Sequence, residues 1–334
     1  MVYDRLRRRL ADETPSPSLA TLPDGSIDKY CTLSAGKVGP IDSRETFGRE
    51  VADAARSSFR MDVESVEPGG QAVNVARQLH ALDGDVTCYG HLDASVFDVL
   101  PFETVSMGEP AVVYAFNFAD SDVMFVEGSE VADWTLDDLR AVADLDDVFG
   151  VDAVCCSNWV SIPEMGTAFR RLADADLPRI PFVFDPGDIV GSDPDDVESL
   201  RTALSALQET FDVVYNGNRQ EIRATAATLS DPPATDRGRV DAIRAATGVE
   251  AVVLHARTEA IAATADGSHR VENLRTATPE RYTGGGDRFT GGLGYGLASG
   301  WDWELSLACG NAAATYYVDV GETGTVDDLR EYLY

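Results

Sequence analysis

Thr283-Gly284-Gly285-Gly286-Asp287-Arg288-Phe289 sets three glycines directly before an acidic residue, and Phe289, Leu293 and Leu297 then recur at helical spacing. A glycine-rich turn at a helix start aims free backbone N–H groups and the positive end of the helix dipole at one point. A carboxylate beside such an anion hole suggests transfer of a phosphoryl group to a hydroxyl. Gly284, Gly285 and Gly286 would balance the phosphate charge, and Asp287 would take the hydroxyl proton. The same residues also describe a plain tight turn with an acidic first helical turn, so the motif needs support from elsewhere.

Support comes from Gly69-Gly70-Gln71-Ala72-Val73-Asn74-Val75-Ala76, about 215 positions upstream (Gly69 to Gly284). This stretch and Thr283–Phe289, with Gly291-Gly292 and Asn311-Ala312-Ala313-Ala314, resemble the two signatures of the ribokinase-like (PfkB) carbohydrate kinases, in the right order. The resemblance runs from about Ser18 to the end of the chain and is weakest between Asp93 and Ala111. It implies an α/β fold: an open, mostly parallel sheet with helices on both faces, plus a small β-rich lid. It also implies Mg2+-dependent transfer from a nucleotide to a sugar hydroxyl. ATP is the expected donor, with ADP used by some members of the wider superfamily.

The resemblance assigns further residues. Asp28 matches an aspartate that holds sugar hydroxyls, Gly69 and Gly70 let backbone approach the sugar, and Asn74 offers both donor and acceptor. Asn218-Arg219-Gln220-Glu221 matches an Asn-x-x-Glu motif that orders magnesium and nucleotide phosphates, with Glu221 reaching the metal through water; the same spacing is a helix capping box. Asn311 matches a position near the adenine. Some positions depart from the pattern. Arg281-Tyr282 stand where Asp-Thr is common, so the resemblance does not decide whether a monovalent-cation site is present, and Arg281 is a candidate phosphate contact or a surface arginine. Leu254-His255-Ala256-Arg257-Thr258-Glu259 lacks two glycines of a phosphate-bordering loop, leaving His255 or Arg257 as replacement contacts and ADP open as donor. The acceptor class spans a free sugar, a sugar acid, a sugar phosphate and a nucleoside. Lys29 and Lys37, the only lysines, are candidate contacts for an acceptor phosphate. A homodimer through the lid is a further implication. The rival reading is a non-catalytic nucleotide or sugar sensor on the same fold.

The elements that must position these residues can be read from hydrophobic periodicity. Leu19–Leu22, Val86–Tyr89, Ala153–Cys156, Phe182–Phe184, Val213–Tyr215 and Ala251–Leu254 are short apolar strands, separated by helical stretches near 164–175, 195–210 and 218–228. Strands alternating with helices indicate parallel βαβ units, and ligands sit at the carboxyl ends of such strands. That rule puts Asp24, Asn158, Asp185, Asn216 and His255 on one rim. Val112–Phe118 and Val123–Val126 form a hairpin. Residues 30–68 and 112–126 correspond to the lid, with 43–59 partly helical, and the chain between Asp93 and Val105 is too short for a full helix. Residues 1–17, charged and then Pro/Ser-rich, are expected as a loosely held arm before a kinase domain over 18–334.

Composition narrows the setting. No apolar run approaches the roughly 18 residues that span a bilayer, and the start lacks an apolar signal core, so a cytoplasmic protein without membrane contact is expected. Lys29 and Lys37 complete no Walker sequence, which excludes a P-loop kinase. The five cysteines are odd in number and lack metal-ligand spacing, as suits small buried residues in a reducing compartment. Acidic residues outnumber basic ones 57 to 27, for a net charge of −30. The acids are spread along the chain, which disfavours nucleic acid as a partner and points to a high-salt cytoplasm. Carboxylate repulsion is screened by salt, so the melting midpoint should rise from low salt to molar KCl. A midpoint that stays flat or falls across that range would remove the high-salt reading.

Overall fold

Runs of Val, Ile, Leu, Phe and Cys without polar interruption form strands buried on both faces, and amphipathic stretches between them form the covering helices. The computed structural model describes every residue except 13–15, 37–38, 54–56, 120–121, 277–280 and 282. Lys37, Tyr282 and the tip of the expected hairpin therefore lie outside the described residues.

The chain begins with α1 (Val2–Arg9) and β1 (Ser18–Leu22), then leaves the central layer through β2 (Ser26–Ser34), β3 (Pro40–Ile41), α2 (Arg44–Ala52) and β4 (Arg60–Gly69). It returns through α3 (Gln71–Ala81) to β5 (Asp85–Gly90) and β6 (Glu103–Ser106), and leaves again as the hairpin β7 (Ala111–Asn117) and β8 (Asp122–Glu127). Helices α4 (Leu136–Val142) and α5 (Leu145–Phe149) lead to β9 (Ala153–Ser157), α6 (Met165–Ala173), β10 (Pro181–Asp185), α7 (Pro194–Leu207) and β11 (Asp212–Asn218). The remainder is α8 (Arg219–Ala227), α9 (Asp236–Thr247), β12 (Ala251–His255), β13 (Glu259–Thr264), β14 (Gly267–Glu272), α10 (Gly285–Ala298), α11 (Trp303–Val320) and α12 (Val326–Tyr332).

Nine strands make the central sheet, in the order β14-β13-β12-β11-β10-β9-β1-β5-β6. All neighbours are parallel except the β12-β13-β14 meander at one edge. Side chains alternate across it. On β9, Val154 and Cys156 enter one core with Phe182, Phe184 and Tyr215, while Ala153 and Cys155 enter the other with Val183 and Val214. The adjacent Cys155 and Cys156 thus face opposite layers, and all five cysteines are buried and free. The lid is a second sheet, β3-β2-β7-β8 with β4 also paired to β2, over a small cluster that includes Leu33, Phe116 and Phe118.

One expectation changes. The first residues are not a loose arm: Val2–Arg9 is a helix docked on α11, with Leu6 fully buried and Arg5 paired to Asp302. Leu6 and Leu10, one helical turn apart, supply an apolar stripe that the surrounding arginines hide in the sequence. Between Asp93 and Val105 only one 3-10 turn (Ser95–Val99) precedes β6, as the short spacing predicts. Among the described residues no helix is long and apolar enough to cross a membrane. Removing the Leu6 side chain leaves a cavity, so Leu6→Ala should cost about 2–5 kcal/mol of unfolding free energy in denaturant titrations at constant KCl. A loss below about 0.5 kcal/mol, typical of surface positions, would mean that α1 is not part of the core.

Candidate active site

The carboxyl ends of β1, β9, β10 and β11, with β12, open onto a cavity of about 620 Å³ that Met124 and Val126 of the lid cover from the other side. Its floor is built at two helix starts. At the first, the Asp24 carboxylate accepts from Gln71 N (3.0 Å), Ala72 N (2.7 Å) and Asn158 Nδ2 (2.9 Å), so a side chain leaving β1 caps α3 and fixes the loop after β9. Asp24 is buried; burial pushes its carboxyl up, and these three donors act against the shift. Gly70 turns the chain into α3 at φ 98°, where a Cβ would lie 2.8 Å from Gly25 Cα. Gly69 lies flat against the Asp28 carboxyl, which a Cβ would meet at 2.2 Å. Asp28 accepts from Ser26 Oγ at 2.6 Å, and burial raises it from the ordinary carboxylate range.

At the second helix start, Gly284 caps α10 in the left-handed region, at φ 89°. The first backbone bond into the helix is Arg288 N to Gly284 O at 3.3 Å, so the N–H groups of Gly285, Gly286 and Asp287 precede the intrahelical ladder. The Asp287 carboxyl is buried in the first turn and accepts from Asn74 Nδ2 at 2.9 Å. Burial pushes it up to about 7, and the Asp185 charge adds to this, against the pull of Arg288 and Asn74. Burial likewise raises Asp185 to about 6, even though Gly187 N donates to it at 3.0 Å. Glu221 rises to about 9, through burial first and then the charges of Asp185, Asp188 and Asp287. The Thr283 hydroxyl donates to Asp122 at the start of β8, tying the lid to the glycine turn.

The structure thus gathers Asp28, Gly70, Asn74, Asn218, Glu221, His255, Gly284, Gly286 and Asp287 around one cavity, with Gly69 and Gly285 just behind it. Asn218 and Glu221 do form the capping box of α8: Asn218 Oδ1 accepts from Gln220 N (2.8 Å) and Glu221 N (3.1 Å), and Glu221 Oε2 accepts from Asn218 N (2.7 Å). The His255 ring lies 4.8 Å from that of Phe289, tilted by 39°, and meets Asn216 Oδ1 at 3.2 Å through Nδ1. Burial holds its ring down to about 4, so at neutral pH it offers shape and a dipole and no positive charge.

Two expected nucleotide contacts are not brought in. Arg257 is exposed in the turn between β12 and β13, off the cavity wall. Asn311 is buried in α11, donating to Tyr3 Oη at 3.2 Å, because the docked α1 covers that part of the helix. Lys29 also stays off the wall, 4.9 Å from the Tyr114 ring centroid. Asp188, Gln71, Arg77 and Arg288 also line cavities here, although sequence analysis gave none of them a role. For Arg77 the signal was present, one turn after Asn74 on α3. For Arg288 none existed, since residue type alone never forecasts a buried arginine. Among the described residues no three His, Cys, Asp or Glu side chains stand close enough to form a metal-ligand set on their own.

A model of the prokaryotic ketohexokinase family matches residues 29–334. A ketohexokinase of Haloferax volcanii is 28% identical over 340 aligned positions, covering 92% of this chain and 88% of its own. Among solved structures, a ribokinase from Thermotoga maritima superposes with TM-score 0.69 at 14% identity, covering 95% of this chain and 99% of that one. A nucleoside kinase from Burkholderia thailandensis, in complex with inosine, gives TM-score 0.65 at 18% identity, with 95% and 97% covered. At such identities the structural likeness shows the fold alone: a ribokinase-like α/β sheet with its β-rich lid. The match across residues 29–334 shows the family, and the chain belongs to the prokaryotic ketohexokinases, carbohydrate kinases of ribokinase-like fold.

Proposed function

We propose that the chain transfers the γ-phosphoryl group of ATP to a primary hydroxyl of a ketohexose, with fructose the first acceptor to test. Kinase membership of the family implies a nucleotide donor and a sugar acceptor. The ketohexose assignment draws on the family and on the Haloferax volcanii relative. The observation that carries the chemistry is Asp287, a buried carboxyl with a raised pKa, at the head of a three-glycine helix start and held by Asn74.

Asp28 and Asn74 orient the acceptor hydroxyls, with Gly69 and Gly70 giving it room. The reacting hydroxyl passes its proton to the Asp287 carboxylate as its oxygen attacks the γ-phosphorus. The bond to the bridging oxygen of ADP breaks, and the N–H groups of Gly285 and Gly286 offset the charge on the transferring group. The lid, held at Thr283 by Asp122, excludes the water that would otherwise hydrolyse the donor. Mg2+ fits the acidic side of the cavity, because Asp185, Asp188 and Glu221 repel one another there and a cation relieves that repulsion. Both Glu221 oxygens already serve the capping box, so Glu221 would hold the ion through water. Once bound, Mg2+ supplies charge neutralisation on the phosphates.

Two measurements test this reading. Asp287→Asn keeps the shape but removes the base, so kcat for fructose with ATP should fall at least about 10²-fold while nucleotide affinity stays near wild type. A variant that keeps most of its kcat rules Asp287 out as the base. The second test is pH. The active form is the deprotonated carboxyl, whose folded-state pKa is raised to about 7, so kcat/KM should fall as pH drops through about 7 and level off above it. The Asn74 amide stabilises the charged form, so in Asn74→Ala the inflection should move to higher pH. An inflection that stays put or moves down would detach Asn74 from the base.

A further inference from the structure

A second cavity, of about 570 Å³, opens behind the α10 start and shares Asp28, Asn74, Thr283, Gly284 and Asp287 with the first. Its far wall carries three arginines: Arg77 from α3, Arg281 from the approach to the glycine turn, and Arg288 from α10. In a chain with 57 acidic residues against 27 basic ones, this is a local concentration of positive charge beside the reaction centre.

These guanidinium groups are poorly satisfied. Arg288 is 2% exposed; its Nε donates to Thr323 Oγ1 at 3.1 Å and its guanidinium lies 4.3 Å from the Tyr317 ring centroid. Its Nη1 is buried without an acceptor among the described residues, and so is Nε of Arg281. Arg281 stacks 4.4 Å over Tyr30, and its Nη1 stands 3.8 Å from Glu67, beyond hydrogen-bond distance. Arg77 makes no hydrogen bond or ion pair with any described residue. Burial, with Arg77 and Arg281 nearby, pulls Arg288 down to about 10. The acids at this cavity leave the need unmet: Glu67 and Glu322 stand at its solvent side, and burial raises the carboxyls of Asp28 and Asp287 at the junction. Buried donors of this kind call for an acceptor, and the forked N–H groups of three guanidiniums suit an oxyanion with several oxygens, such as a phosphate.

We propose that this second cavity is an oxyanion subsite, in which Arg77, Arg281 and Arg288 hold the phosphate group of a phosphorylated sugar whose hydroxyls lie at Asp28 and Asn74. The subsite rests on the acceptor assignment above and extends the ligand class from a neutral ketohexose to one that carries a phosphate monoester. It also moves the phosphate contact from the lysines to the arginines. Inorganic phosphate shares the chemistry and is the alternative source of the anion.

Calorimetric titration at one fixed KCl concentration, without nucleotide, separates the cases. Wild-type protein should bind fructose 6-phosphate at least about 10-fold more tightly than fructose, and in Arg77→Met the ratio of the two dissociation constants should fall toward one. Arg77 is half-buried on the edge of α3, so its replacement by methionine keeps the stem that packs there. Inorganic phosphate that binds alone and leaves fructose binding intact assigns the subsite to the free anion, whereas fructose 6-phosphate that excludes fructose assigns it to the sugar-borne group. Equal affinities for fructose and fructose 6-phosphate with no binding of inorganic phosphate overturn the proposal, as does a preference that survives both Arg77→Met and Arg281→Met. Turnover of fructose alongside failed anion binding would remove the subsite and leave the kinase assignment standing. Absence of turnover with any sugar would instead remove the kinase assignment.

Discussion

The hydrogen bond from Asn74 Nδ2 to Asp287 Oδ2 joins residues 213 positions apart and sets the geometry of the site. Each partner is a first-turn residue of a helix whose start is fixed independently: α3 by the Asp24 carboxylate and the Gly69-Gly70 turn, α10 by Gly284. The two helices pack against one side of the sheet, and Val75, Leu79, Phe289 and Leu293 share its core. A helix start has little freedom once its apolar face is buried, so two packed helices deliver their first-turn side chains to a fixed separation. On the proposed reading, an acceptor hydroxyl placed between them would meet a donor, a base and an anion hole without any of these having to move.

The same construction concentrates negative charge. Asp24, Asp185, Glu221 and Asp287 are all buried around one cavity in a chain already carrying −30. Buried carboxyls keep their charge only with donors or cations nearby, and the rise of Asp185, Glu221 and Asp287 reflects how incompletely the protein alone provides them. The arginine wall compensates from behind, and the Mg2+ proposed above would do so from the acidic side. The many surface pairs, such as Arg60–Asp62 and Arg179–Asp212, are exposed and contribute little individually. Salt then acts on the surface repulsion, and ligands act on the buried charge.

How far this was legible depends on whether residue type or tertiary context decided the outcome. The strands β9 to β12 were readable because burial on both faces leaves an apolar run with no helical period, as in Val213-Val214-Tyr215. The two glycine motifs were readable because Gly70 and Gly284 occupy backbone regions that other residues avoid, which fixes glycine there. Helix α1 was not readable: it owes its order to Leu6 meeting α11 and Arg5 meeting Asp302, contacts across nearly the whole chain. The burial of Asn311 was hidden for the same reason, since a helix position shows spacing but not which neighbour will cover it. Arg288 looks like a surface residue until α10 buries it against Tyr317.

The lid links these features to the strength of the base. Asp122 reaches Thr283 on the glycine turn, and from the same strand Met124 and Val126 cover the cavity that contains Asp287. Burial is the largest cause of the raised Asp287 pKa, and β8 supplies part of the wall of the cavity that holds this carboxyl. In this covered cavity the carboxyl titrates near neutrality, where the proposed general base would be most effective. In the proposed reaction the covered cavity would serve two ends at once, keeping water from the donor and keeping the Asp287 carboxyl basic enough to take a hydroxyl proton.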